Sequence, residues 1–190
     1  MTNRVPFYSS VLVVGAMLGL AIPCQAGPDD ADAKKIPSVG DAAPDFTLND
    51  FQGKRFTLSG LKGKDGALLW FTNLCEGCTS KFGDMERFKS QYSGKGIEVI
   101  ALSQLGKDRK PVEEAVRAHH LTLRFLYDPD GKAAMQYSGG YVPGTCPLTN
   151  LYVVDKSGTI VYATHYPGAP ETEIAAVLAR TRAATARASR

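Results

Sequence analysis

Cysteine, histidine, tryptophan and net charge are all scarce in this chain. Of 190 residues four are cysteine, three histidine and one tryptophan, and the net charge is +3. A four-thiolate zinc site needs two cysteine pairs or a pair with two spaced histidines. Only one pair exists here, Cys75 and Cys78, and His119 and His120 are adjacent, which points their side chains about 100° apart on a helix. Those absences argue against a structural zinc, and His165 stands alone as a surface residue. Haem attachment through CxxCH needs a histidine at position 79, where the chain has Thr79. No helix-turn-helix pattern, Gly-rich phosphate loop or aromatic–basic face is present, so nothing in the sequence points to nucleic acid. There is no internal repeat. The longest apolar run, "VLVVGAMLGLAI", covers only 12 residues, Val11 to Ile22, against about 20 for a membrane span.

That run follows Arg4 and precedes Cys24-Gln25-Ala26, with small residues at both cleavage-defining positions. It reads as a secretory signal peptide over residues 1–26, an uncleaved membrane anchor being the alternative. Residues 27–38, polar and without periodicity, read as a linker. A folded domain is expected over 39–180, followed by a basic, frayed and solvated tail over 181–190. Export would leave Cys75, Cys78 and Cys146 in an oxidising compartment, and an odd count leaves one of them unpaired or functional.

Within the domain, "ALLWFT" and "IEVIAL" are nearly continuous apolar runs, the signature of strands covered on both faces. A helix expected from Cys78 to Tyr92 connects them, so the two strands should be parallel. On that helix Phe82, Met85, Phe88 and Tyr92 share one face and should pack on the sheet. Further helices are expected over 111–120 and 132–137 and from Glu171, with an extended segment at 56–58. "LYVVDKSGTIVY" carries two β-rich runs around Asp155-Lys156-Ser157-Gly158, which signals an antiparallel hairpin. The sum is an α/β domain built on a mixed central sheet flanked by helices.

The stretch "TNLCEGCTSKF" sits where the first buried strand ends and the helix starts. As a staple the cysteine pair would do little, because disulfide stabilisation grows with the loop closed and this loop holds two residues. As a redox couple it is well placed. Cys75 at the helix N-terminus meets unsatisfied N–H groups that favour an anion, while Cys78 lies in the first turn, shielded and within reach. Cys75 would attack a substrate disulfide and Cys78 would resolve the mixed disulfide. Glu76 opposes the thiolate and Lys81 supports it.

From about Val39 to Leu178 the chain resembles the thioredoxin-fold TlpA/ResA group of the redoxin, or AhpC/TSA, superfamily. The resemblance rests on "VGDAAPDFTLNDFQGKRFTLSGLKGK", "ALLWFTNLCEGC", "YDPDGKAAMQY" and "LYVVDKSGTIV". It implies a thioredoxin-like fold with an N-terminal redoxin-type extension. It also implies a thiol–disulfide oxidoreductase of the periplasm, acting on secreted proteins such as apocytochrome c or copper-site polypeptides, or as an antioxidant. Electrons would come from a membrane or soluble reductase, with no bound cofactor or metal. Catalysis would fall to Cys75 and Cys78, and substrate binding to Cys146 and Pro147, with Pro147 as the match to a cis-proline that faces the pair.

The chain departs from the group's pattern in three places. Leu74 replaces the usual Trp, Lys81 stands where an acidic residue is common, and Pro147 lies eight residues before Asp155 instead of about six. Cys146 beside Pro147 opens further readings: a third thiolate ligand in a Sco-like Cu(I) chaperone built on Cys75, Cys78 and Cys146, a second resolving thiol, or a spectator. A peroxiredoxin-like peroxidase is also considered, since Thr72-Asn73-Leu74-Cys75 supplies TxxC, but the proline of PxxxTxxC is replaced by Leu68.

Overall fold

The computed structural model describes residues 35–61 and 64–188. The expected signal peptide and residues 27–34 of the linker therefore lie outside the described residues. In chain order the strands are β1 (Thr47–Asp50), β2 (Arg55–Thr57), β3 (Gly66–Thr72), β4 (Ile97–Ser103), β5 (Arg124–Tyr127), β6 (Leu151–Asp155) and β7 (Ile160–Thr164). The helices are α1 (Glu76–Thr79), α2 (Phe82–Tyr92), α3 (Lys110–Ala118), α4 (Lys132–Ser138) and α5 (Glu171–Ala188). Seven strands form one sheet in the order β2-β1-β5-β4-β3-β6-β7.

β3 lies near the middle of the sheet, parallel to β4 and antiparallel to β6, and all seven of its residues are buried. Its alternation splits the core. Leu68 and Trp70 face a layer built from Phe82, Met85, Phe88 and Tyr92 of α2 with Ile174, Val177 and Leu178 of α5. Ala67, Leu69 and Phe71 face the opposite layer, which includes Phe46, Phe56 and Tyr137. The parallel β3–β4 pair, the β6–β7 hairpin and the packing face of α2 are as the apolar pattern predicts. The N-terminal extension is the β1–β2 hairpin, which β1 joins to the sheet through β5.

Two expectations are corrected. The helix that follows the cysteine pair is not continuous from Cys78 to Tyr92: α1 ends at Thr79, and a turn at Ser80–Lys81 precedes α2. Hydroxyl groups compete with the helical ladder there, Thr79 Oγ1 donating to the Glu76 carbonyl at 3.1 Å and Ser80 Oγ to the Gly77 carbonyl at 2.8 Å. The stretch expected to fray after residue 180 is helical as far as Ala188, with Thr181 buried. Its alanines carry high helix propensity. Among the described residues no helix is long and apolar enough to cross a membrane.

Candidate active site

β3 ends at Thr72, and Asn73, Leu74 and Cys75 follow at its C-terminal end. Leu74 has φ +59°, a left-handed conformation that costs a residue with a Cβ about 1–2 kcal/mol. This bend turns the chain so that Cys75 caps α1. Cys75 is exposed and Cys78 is completely buried. Because α1 is a single turn, its dipole is that of a few peptide groups, a smaller field than the continuous helix expected from the sequence.

Asn73 ties this corner together. Its Oδ1 accepts the Cys75 backbone N–H at 3.2 Å and the Cys78 thiol at 3.7 Å, while its Nδ2 donates to the Gly144 carbonyl at 2.9 Å. Gly144 in turn donates its N–H to the Gln104 carbonyl at 2.7 Å. The loop that carries Cys146 is thus clamped to the loop that carries the cysteine pair. Thr72 secures the bend by accepting the Leu74 N–H on its hydroxyl at 3.2 Å.

The three thiols share this corner, and each is free. Burial pushes the Cys78 thiol up to about 12 from an ordinary 9.0, and the neighbouring Cys75 and Cys146 thiols add to the rise while the Thr72 hydroxyl opposes it. Cys146, half-buried, is also raised, first by burial and then by Cys75, against the hydrogen bond from Asn150. Its sulfur accepts the Asn150 Nδ2–H at 3.3 Å. Asn150 is itself held by Tyr166, donating to its carbonyl at 2.9 Å and accepting its N–H at 2.7 Å.

The peptide bond before Pro147 is trans, which corrects the expected cis geometry. Pro147 sits beside Cys146, with His165 Nδ1 at 3.2 Å from its carbonyl oxygen, so His165 borders the site where it was expected only as a surface residue. Lys81 pairs with Asp84 and lies over Tyr166: its Nζ is 3.4 Å from Asp84 Oδ2 and 5.4 Å from the centre of the Tyr166 ring. Against the cost of burial, the Tyr166 hydroxyl, Lys81 and Arg87 hold the Asp84 carboxyl below its usual range. Asn73, Asn150 and Asp84 were not singled out in the sequence, because amide and carboxylate side chains outside a motif carry no periodic signal. Among the described residues no group of three or more His, Cys, Asp or Glu side chains is placed to hold a metal ion.

An exposed thiol beside a buried one, at the start of a helix and just past the C-terminal end of an interior strand, is an arrangement suited to thiol–disulfide exchange. Known proteins agree. Residues 39–163 match the model of the AhpC/TSA family. The chain is 31% identical over 162 residues to the thiol-disulfide oxidoreductase ResA of Oceanobacillus iheyensis, covering 83% of this chain and 79% of that protein. It is 30% identical over 131 residues to the ResA of Bacillus cereus, with coverages of 69% and 71%. Among solved structures, a putative thiol:disulfide interchange protein DsbE from Chlorobium tepidum superposes with a TM-score of 0.60 at 25% identity, over 75% of this chain and 99% of that one. A putative thioredoxin from Neisseria meningitidis gives 0.58 at 26%, over 75% and 91%. The thioredoxin-like fold and the redox reading of the sequence are both supported, and the chain belongs to the AhpC/TSA redoxin family as a ResA-like thiol–disulfide oxidoreductase.

Proposed function

We propose that this oxidoreductase works in the periplasm on cysteine-bearing secreted polypeptides, apocytochrome c or copper-site proteins among them, by cycling Cys75 and Cys78 between dithiol and disulfide. The observation that carries this reading is the contrast in exposure between the two sulfurs, Cys75 open to solvent and Cys78 completely buried. Cys75 Sγ attacks one sulfur of a client disulfide, the client S–S bond breaks, and one client thiolate leaves. A mixed disulfide now joins Cys75 to the client. Cys78, whose thiol points at Asn73 Oδ1, gives its proton to a client thiolate and attacks Cys75 Sγ, breaking the Cys75–client bond. The reduced client leaves and the Cys75–Cys78 disulfide remains for a membrane or soluble reductase. Run in reverse, the same steps oxidise a client dithiol.

In this reading Cys146 and Pro147 form the surface against which the client rests. Asn73 and Asn150 fix their loop relative to the pair. The apolar N-terminal run and the small residues at positions 24 and 26 support export. No cofactor is required, because every electron moves between sulfurs. The test is to trap the intermediate: the Cys78→Ser chain, mixed with a reducible protein disulfide, should accumulate a covalent complex through Cys75. Absence of any such complex with every protein disulfide offered would count against the reading.

A further inference from the structure

The reading above uses two thiols, yet the structure builds a third into the same corner. We propose that Cys146 is a third redox thiol, which takes over Cys78 from the Cys75–Cys78 disulfide and so stores the oxidised pair as a Cys78–Cys146 bond. This rests on the exchange activity proposed above and adds a step to it.

Three observations point this way. Cys146 packs against the core layer that contains Cys78. The loops carrying them are pinned together by Asn73, which contacts Cys78 Sγ through Oδ1 and the Gly144 carbonyl through Nδ2. Finally, the Cys146 sulfur faces a donor already in place: Asn150 Nδ2 at 3.3 Å, on a side chain that is fully buried and doubly bonded to the Tyr166 backbone. A fixed N–H aimed at a sulfur stabilises negative charge there without reorganisation. A spectator thiol has no need of it.

The loop also borders unfilled space. Cys146 lines a cavity of about 320 Å³ shared with Gln104, Tyr137, Tyr141 and Leu148. A disulfide asks for Cα atoms about 4.4–6.8 Å apart. A loop bordered by unfilled space can reach that separation more cheaply than one enclosed by packed side chains.

The step balances within the chain. Once the Cys75–Cys78 disulfide has formed, Cys146 gives up its proton and its Sγ attacks Cys78 Sγ. The Cys75–Cys78 bond breaks, the Cys78–Cys146 bond forms, and Cys75 leaves as a thiolate that takes up a proton. One disulfide replaces another, so no electron enters or leaves. The exposed nucleophile is thereby freed while the oxidising equivalents stay sheltered.

The test uses the full chain with Cys75→Ser, reduced and then treated with diamide, digested without reduction and mapped by mass spectrometry, with peptides bearing Cys24 scored separately. Diamide should link Cys78 to Cys146 within one molecule, and the link should vanish in Cys75→Ser/Cys146→Ala. Wild-type chain at partial oxidation should contain both the Cys75–Cys78 and the Cys78–Cys146 bonds, which reads the same step should the variant fold poorly. If the wild type closes Cys75–Cys78 but neither sample contains Cys78–Cys146, this inference is overturned and the two-thiol reading stands. If the wild type closes no disulfide at all, both fall.

Discussion

Asn73 Oδ1 lies 3.7 Å from Cys78 Sγ and accepts the thiol hydrogen of a side chain that has no access to water. The same oxygen accepts the Cys75 N–H, so one amide holds both members of the pair. Asn73→Ala removes these bonds and the one to the Gly144 carbonyl. It should cost about 1–3 kcal/mol, the range for a polar group left without its partner, read by urea denaturation of the reduced chain. It should also lengthen the lifetime of the mixed disulfide, because Cys78 is then less well aimed at Cys75. A purely structural role would shift the denaturation midpoint and leave that lifetime unchanged.

The raised Cys78 thiol makes the stability of the reduced chain sensitive to alkali. In the folded chain Cys78 keeps its proton up to about 12, whereas in the unfolded chain it releases it near 9.0. Between those values the unfolded state binds fewer protons, so stability falls as the pH rises. The contribution is present in full below about pH 9 and is lost progressively from there towards 12. Thermal melts of reduced wild type and Cys78→Ala across this window should converge as the pH climbs. Curves that stay parallel would contradict the assignment.

Asp84 gives the opposite sign at the acid end. Its carboxyl, lowered from 3.8 despite the cost of burial by Tyr166, Lys81 and Arg87, contributes stability that is present above 3.8 and is lost as the pH drops below it. Asp84→Asn should destabilise the chain by about 1.5–3 kcal/mol at neutral pH, the range for hydrogen bonds to a charged group. The gap between the two proteins should narrow in acid. It should also release Lys81, which the carboxylate holds at 3.4 Å.

Much of the fold is legible in the sequence because burial on both faces leaves a plain mark. The β3 and β4 runs, the apolar stripe of α2 and the turn at Asp155–Gly158 each announce themselves through composition or period. β1 and β5 do not. β1 reads "TLND" and β5 "RFLY", four residues each with a charge at one end, and their antiparallel pairing is joined by a long-range ion pair, Asp50 Oδ2 to Arg124 at 3.0 Å, which no local pattern encodes. At the site the cysteine spacing was readable, but the clamp was not. Asn73 reaches 71 residues along the chain to Gly144, and Asn150 reaches 16 to Tyr166. The α1–α2 break likewise depends on where two hydroxyl groups turn, not on the identity of the residues alone.

The account depends on Cys75 being the open sulfur and Cys78 the sheltered one. Residue-resolved alkylation of the reduced full chain with iodoacetamide at about pH 8, just below the ordinary cysteine range, followed over time by mass spectrometry, reads this directly. The account predicts that Cys75 is modified first, with Cys78 at least about a hundredfold slower, as expected when one thiol is reachable and the other is buried and protonated. Equal rates at the two positions, or modification of Cys78 ahead of Cys75, would contradict it.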